Sequence, residues 1–305
     1  MKLAFVISTQ PTKFQAIAFD PNFEGNAAQL ANLGYDGIEL GVREPEKLDV
    51  ASLKQVLARY RLSVPAIGTG QAFVEERLSF TDPDAAVRER AVARVKTHIA
   101  LACELVIASE AKQSPTWELE IASSHKPLPA TLAPHASAGV TQSPLVIIGL
   151  IRGQTWQTIS REQAHAWMVD ALKTLARAAN ARGIRLAIEP INRYETDWVN
   201  DVAGARALID EIGADNIGIL FDTFHANIEE PSIEASLRAC GACLFHVHVA
   251  DSNRWYPGAG HTNFASLLAT LRELKYAGWL SAEILPKPDV KRAAEETYRT
   301  IKPLL

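Results

Sequence analysis

Short uninterrupted apolar runs alternate along the chain with longer stretches of helical periodicity. The runs at 3–7, 35–40, 64–67, 144–150, 185–188, 217–221, 243–249 and 280–285 have the length and continuous hydrophobicity of parallel strands buried on both faces. Between and after them, helical patterns cover 26–33, 52–60, about 82–105, 160–182, 201–212, 232–240, 263–274 and 290–305, the third opening on Asp82-Pro83-Asp84. Eight strand–helix units with mostly short connections predict an α/β fold, a (β/α)8 TIM barrel occupying residues 1–305 as one domain. A doubly wound open sheet would carry a glycine fingerprint after its first strand, where this chain has Ser8-Thr9-Gln10-Pro11.

One segment breaks the rhythm. Residues 106–143 turn rich in Ala, Ser, Thr and Pro, and deleting them joins Leu105 to Pro144 in an ordinary helix-to-strand junction. They are expected to form an insertion on the face opposite the active site, with His125 and His135 as solvated bystanders.

Composition narrows the classes. The chain has 305 residues, 48% hydrophobic and 22% charged, with a formal net charge of −4, so it offers no electrostatic footprint for nucleic acid or an anionic membrane. Three cysteines make no disulfide framework, and Cys240 and Cys243, a CxxC without a second pair, read as structural thiols. The apolar core of MKLAFVISTQ is too short for a signal peptide, and no run reaches the length of a membrane span. The expectation is a cytoplasmic protein with a small-molecule partner, no nucleic acid and no membrane; a homo-oligomer stays open.

Ligands bind at the carboxyl ends of strands in such folds. The fifth strand ends in Glu189 and the sixth in Asp222; the seventh carries His246 and His248 in alternation, and the eighth carries Glu283. Singly, each acid also reads as a helix N-cap or an ion-pair partner. Together, three carboxylates and an imidazole at one barrel mouth make a hard, oxygen-rich site suited to Mn²⁺, Mg²⁺ or Co²⁺. Spacing alone does not choose between the two histidines.

The segments Ile188-Glu189-Pro190-Ile191-Asn192-Arg193-Tyr194-Glu195, Phe221-Asp222-Thr223-Phe224-His225-Ala226-Asn227-Ile228-Glu229-Glu230 and His248-Val249-Ala250-Asp251-Ser252-Asn253-Arg254 resemble the sugar phosphate isomerase/epimerase superfamily with the xylose isomerase-like barrel. Within it they look most like the ketose 3-epimerases. The starts Met1 to Ser8, Ile67 to Ala72 and Val146 to Gly153 are closer still to 5-keto-L-gluconate epimerase. The resemblance implies Glu189, Asp222, His248 and Glu283 as metal ligands, with Mn²⁺ the first expectation, and His246 as a neighbour. It implies Glu189 and Glu283 as the acid–base pair, and Glu195, His225 and Arg254 as contacts to the substrate's hydroxyls and carbonyl.

The chemistry agrees. Inverting a carbon beside a ketone means removing a very weakly acidic proton, which a divalent cation on the carbonyl and adjacent hydroxyl makes accessible by stabilising a cis-enediolate. Inversion then needs a base on each face, and glutamates on the non-adjacent fifth and eighth strands can flank a substrate in that way. The expected activity is therefore a metal-dependent epimerase acting on a ketose or keto-uronate, such as 5-keto-L-gluconate to D-tagaturonate. A sugar isomerase or inosose-type dehydratase on the same metal is the alternative. A uronate would need a cation for its carboxylate, for which Arg152 and Arg254 are the candidates.

Overall fold

The computed structural model describes residues 1–19, 21–110 and 144–305. Its strands are β1 (Lys2–Ser8), β2 (Ala18–Phe19), β3 (Gly37–Gly41), β4 (Ala66–Gly68), β5 (Leu145–Ile148), β6 (Leu186–Ile188), β7 (Ile217–Asp222), β8 (Leu244–His248) and β9 (Trp279–Ala282). All pairings are parallel, and β1 joins β9 as well as β3, so eight strands close into a barrel. That closure excludes the open sheet. The short β2 pairs with Ile7 and Ser8 of β1, beyond the stretch that β9 occupies.

The helices are α1 (Phe23–Leu33), α2 (Val50–Arg59), α3 (Gly70–Glu76), α4 (Ala85–Glu110), α5 (Arg161–Asn180), α6 (Val202–Ile212), α7 (Thr223–Glu229), α8 (Ile233–Cys240), α9 (Phe264–Glu273) and α10 (Val290–Ile301). Three elements go beyond the hydrophobic pattern: β2, α3 and α7, each too short to set up a period. The helix α4 also runs to Glu110 rather than stopping near Leu105. The rest of the expected insertion, with His125 and His135, lies outside the described residues. Asp49, Ser160, Asp201, Ser232, Asn263 and Asp289 each accept a backbone N–H in the first turn of the helix that follows, which fixes where the chain turns from loop to helix.

Strand alternation sorts the side chains. Ile38 and Leu40, Val146 and Ile148, Leu186 and Ile188, and Leu280 and Ala282 pack in the large core between barrel and helices. The residues between them point inward, where Ala66, Leu145, Ile147, Ala187 and Leu220 fill the lower barrel. Continued toward the carboxyl ends, the same parity turns Glu39, Glu189, Asp222, His246, His248 and Glu283 into the barrel. The barrel is thus apolar below and ionisable above.

Cys240 closes α8 and Cys243 sits in the turn before β8; both are free, and burial pushes the Cys240 thiol up to about 12, as a structural thiol requires. Among the described residues no helix is long and apolar enough to cross a membrane.

Candidate metal centre

Glu189 directly follows β6, Asp222 ends β7, His248 ends β8 and Glu283 directly follows β9. One ligand atom from each lies within 4.8 Å of all the others. His248 Nδ1 stands 3.5 Å from Asp222 Oδ2, 3.6 Å from Glu189 Oε1 and 3.9 Å from Glu283 Oε2. These separations are too long for hydrogen bonds and short enough for the four atoms to share one cation.

All four residues are buried, yet Glu189 Oε1, Asp222 Oδ2 and His248 Nδ1 have no hydrogen-bonding partner. Leaving one such buried atom unsatisfied costs about 1–3 kcal/mol, and more when it carries charge. Three of them aimed at a common point are what a bound cation would satisfy. The electrostatics agree: burial, reinforced by the charge of Glu189, pushes the Glu283 carboxyl up to about 8. Left to itself the ring resists a third negative charge, and the residues present fit a divalent metal with oxygen preference.

Asp222 serves two structures at once. Its Oδ1 accepts the backbone N–H groups of Phe224 (2.7 Å) and His225 (3.4 Å) and so caps α7, while Oδ2 faces the ring. Burial opposes its charge, but His225, His248 and Arg254 outweigh burial and hold the carboxyl at about 2. The oxygen that caps the helix and the oxygen that faces the ring are different atoms.

The structure brings His248, and not His246, to the four-residue ring. The pairing of Asp222 with His248 puts that imidazole level with the carboxylates. His246 lies deeper, its Nε2 2.8 Å from Glu39 Oε2 and 3.0 Å from Ser281 Oγ. Glu39 itself escaped the reading of strand ends. Its signal was present: an acid between Ile38 and Leu40 in an otherwise apolar run, with inward parity.

Above the ring, the cavity is lined by Phe14, Leu150 and Ile191 on its apolar side and by Glu195, His225 and Arg254 on its polar side. Asn192, which sequence patterns did not single out, sets two of these. Its Nδ2 donates to Glu195 Oε1 at 3.0 Å and lies 2.7 Å from His225 Nδ1, leaving the N–H of His225 on Nε2. That nitrogen faces Glu189 and Asp222, 4.0 Å from each. Arg254 reaches Glu195 Oε1 at 2.8 Å and Glu283 Oε2 at 3.1 Å, and lies over the Phe224 ring. Its backbone is left-handed at φ 62°, a strained turn held by hydrogen bonds to Asp251 and from Leu285.

Arg152 is a correction to the sequence-based expectation. It is fully buried, and its guanidinium is directed at backbone carbonyls: Gly149 O at 2.9 Å, Trp198 O at 2.9 and 3.2 Å, and Val199 O at 3.1 Å. It ties the loop after β5 to the loop after β6 and is not available to a substrate carboxylate. Replacing it with Met should leave those carbonyls unsatisfied and destabilise the fold by about 2–4 kcal/mol, measured by denaturant unfolding. The ratio of activities on neutral and acidic sugars should stay unchanged, and a selective loss on acidic ones would restore Arg152 as a carboxylate contact.

Gly149 shapes the same wall. A Cβ built there would sit 2.8 Å from Glu189 Oε2. Gly149→Ala should therefore push the Glu189 carboxylate aside, with kcat falling about 10²-fold. Wild-type kcat in this variant would show that Glu189 has room to move without consequence.

Comparison with known proteins places the fold. The model of the xylose isomerase-like TIM barrel matches residues 27–109 and 138–304. An L-ribulose 3-epimerase of Methylomonas sp. is 30% identical over 257 residues, 84% of this chain and 76% of that protein. A 3-dehydro-D-guloside 4-epimerase of Escherichia coli is 36% identical over 114 residues, 37% of this chain and 44% of that protein. Among solved structures, a D-allulose 3-epimerase from Methylomonas sp. superposes with a TM-score of 0.75 at 23% identity, covering 100% of this chain and 98% of its own, a likeness of fold.

Proposed function

The chain belongs to the family of xylose isomerase-like TIM barrels, and from that premise we propose that it is a sugar epimerase, an isomerase that inverts the carbon beside the carbonyl of a neutral ketose. The observation that carries this reading is the placement of Glu189 and Glu283. They enter one ring of ligand atoms from strands separated by β7 and β8, so two carboxylates reach one small volume from different sides. The named relatives lend support: a ketose 3-epimerase and an epimerase acting at carbon 4 of a 3-dehydro sugar both invert a carbon next to a carbonyl.

A divalent cation held by Glu189, Asp222, His248 and Glu283, with Mn²⁺ expected and Mg²⁺ or Co²⁺ as alternatives, would supply positive charge where the substrate's carbonyl oxygen gains negative charge. The remaining steps belong to side chains. One glutamate takes the proton from one face of the sugar carbon, leaving a planar cis-enediolate, and the other returns a proton to the opposite face. His225 presents its Nε2–H to a substrate oxygen, held in that orientation by Asn192. Arg254, paired with Glu283, favours the ionised form that can accept a proton. Glu195, on the other side of Arg254, is placed to accept a hydrogen bond from a sugar hydroxyl.

Charge in the cavity supports a neutral substrate. Among the described lining residues Arg254 is the cation, and it is already engaged by two carboxylates. A keto-uronate such as 5-keto-L-gluconate would require a free cation for its carboxylate, and Arg152 does not provide it. The test is a panel of neutral ketoses and keto-uronates with Mn²⁺ in deuterated water, read by NMR. Label at the carbon next to the carbonyl of a neutral ketose, together with its epimer, is expected. A keto-uronate turned over faster than every neutral ketose would overturn the neutral assignment, and label at no position in any sugar would overturn the epimerase itself.

A further inference from the structure

We propose that Glu39 is a positioning residue for the metal centre, its carboxylate bridging His246 and His248 and fixing which nitrogen of His248 faces the ligand ring. The proposal rests on reading Glu189, Asp222, His248 and Glu283 as that centre.

Glu39 lies in the middle of β3, fully inside the barrel, and reaches across it to β8, which is not a neighbouring strand. Its two oxygens divide between two imidazoles: Oε1 is 3.0 Å from His248 Nε2, and Oε2 is 2.8 Å from His246 Nε2. An ionised carboxylate only accepts hydrogen bonds, so both Nε2 atoms must carry hydrogen. A neutral imidazole has one N–H, and placing it on Nε2 leaves the lone pair of His248 on Nδ1. That is the nitrogen without a hydrogen-bonding partner, 3.5 Å from Asp222 Oδ2 and 3.6 Å from Glu189 Oε1. With the opposite tautomer His248 would point N–H into the ring and could not bind a cation. The second contact, to His246, fixes the plane of the Glu39 carboxylate. Ser281, whose hydroxyl is 3.0 Å from His246 Nε2, steadies that ring in turn. Carboxylate–histidine–metal chains of this kind raise affinity by pre-orienting the ligand.

Glu39→Gln keeps the volume but offers one acceptor and one donor in place of two acceptors. One of the two histidines then meets an N–H₂ group, and the fixed tautomer of His248 is lost or becomes mixed. Titration with Mn²⁺ alone, in competition with a chelator, is expected to show affinity about 10–100-fold weaker than wild type, while circular dichroism and the unfolding midpoint of the metal-free protein stay close to wild type. Binding in wild type that is unchanged in a folded Glu39→Gln variant would overturn the positioning role alone, and no binding in wild type would remove the metal centre beneath it. A second measurement needs no variant. In ¹⁵N-histidine-labelled wild type loaded with diamagnetic Mg²⁺, His248 should show hydrogen on Nε2. Hydrogen on Nδ1 would overturn the proposal whatever the mutant does. Two bound ions per chain would also overturn it, because Glu39, His246 and His248 lie close enough to share an ion themselves.

Discussion

Glu189→Gln and Glu283→Gln are each expected to epimerise at about a thousandth of the wild-type rate. Glutamine keeps an oxygen that can face the ring but cannot take up a proton, so each change removes one of the two groups on which inversion depends. A loss of about 10³-fold in kcat, or about 4 kcal/mol of transition-state stabilisation, is the expected scale. The informative readout is exchange and not turnover. Each variant should still exchange the proton that faces its remaining carboxylate, and fail with the epimer whose proton faces the missing one. Deuterium wash-in measured separately from the two epimers distinguishes this from a general collapse of the site. Wild-type exchange from both epimers in either variant would sink the assignment of two bases.

Removing the metal is the second large effect. Protein treated with a chelator and then freed of it is expected to be inactive, and readdition of Mn²⁺ should restore activity in proportion to ion bound. Stability should follow, because three buried atoms without partners gain one when the ion binds. An ion at 100 times its dissociation constant contributes about 2.7 kcal/mol, which in a chain of this size raises the unfolding midpoint by several degrees. Thermal unfolding with and without the ion checks it. Full activity after removal of all divalent ions would rule out the metal centre.

The strands were legible because a parallel barrel buries both faces of each, which prints as an unbroken apolar run. Glu189 and Asp222 were legible for the converse reason, each an acid where such a run ends; Glu283 was legible as an acid inside the run 280–285, which as a strand stops at Ala282. Choosing between His246 and His248 was beyond spacing, since both have inward parity and only depth in the barrel separates them. Glu39 was marked locally as an acid inside an apolar run, but its partners stand more than 200 residues away, so nothing in that run tells what the acid serves. Asn192 looked like any polar loop residue until its amide was seen against both Glu195 and His225. Arg152 was misjudged because a basic residue at a strand end resembles a substrate cation, and saturation by backbone carbonyls leaves no trace in sequence.

The divided carboxylate of Asp222 has a consequence for redesign. Because one oxygen seats the first turn of α7 and the other faces the ring of candidate ligand atoms, the helix carrying His225 is mechanically keyed to that ring. Ion preference and the aim of the His225 N–H are therefore not independent dials on this side of the cavity. The opposite wall, where Leu150 and Ile191 pack with Phe73, is built of side chains with no polar atom in the site. Altering which sugar fits is best attempted there, where shape can change while the ion and its helix stay in register.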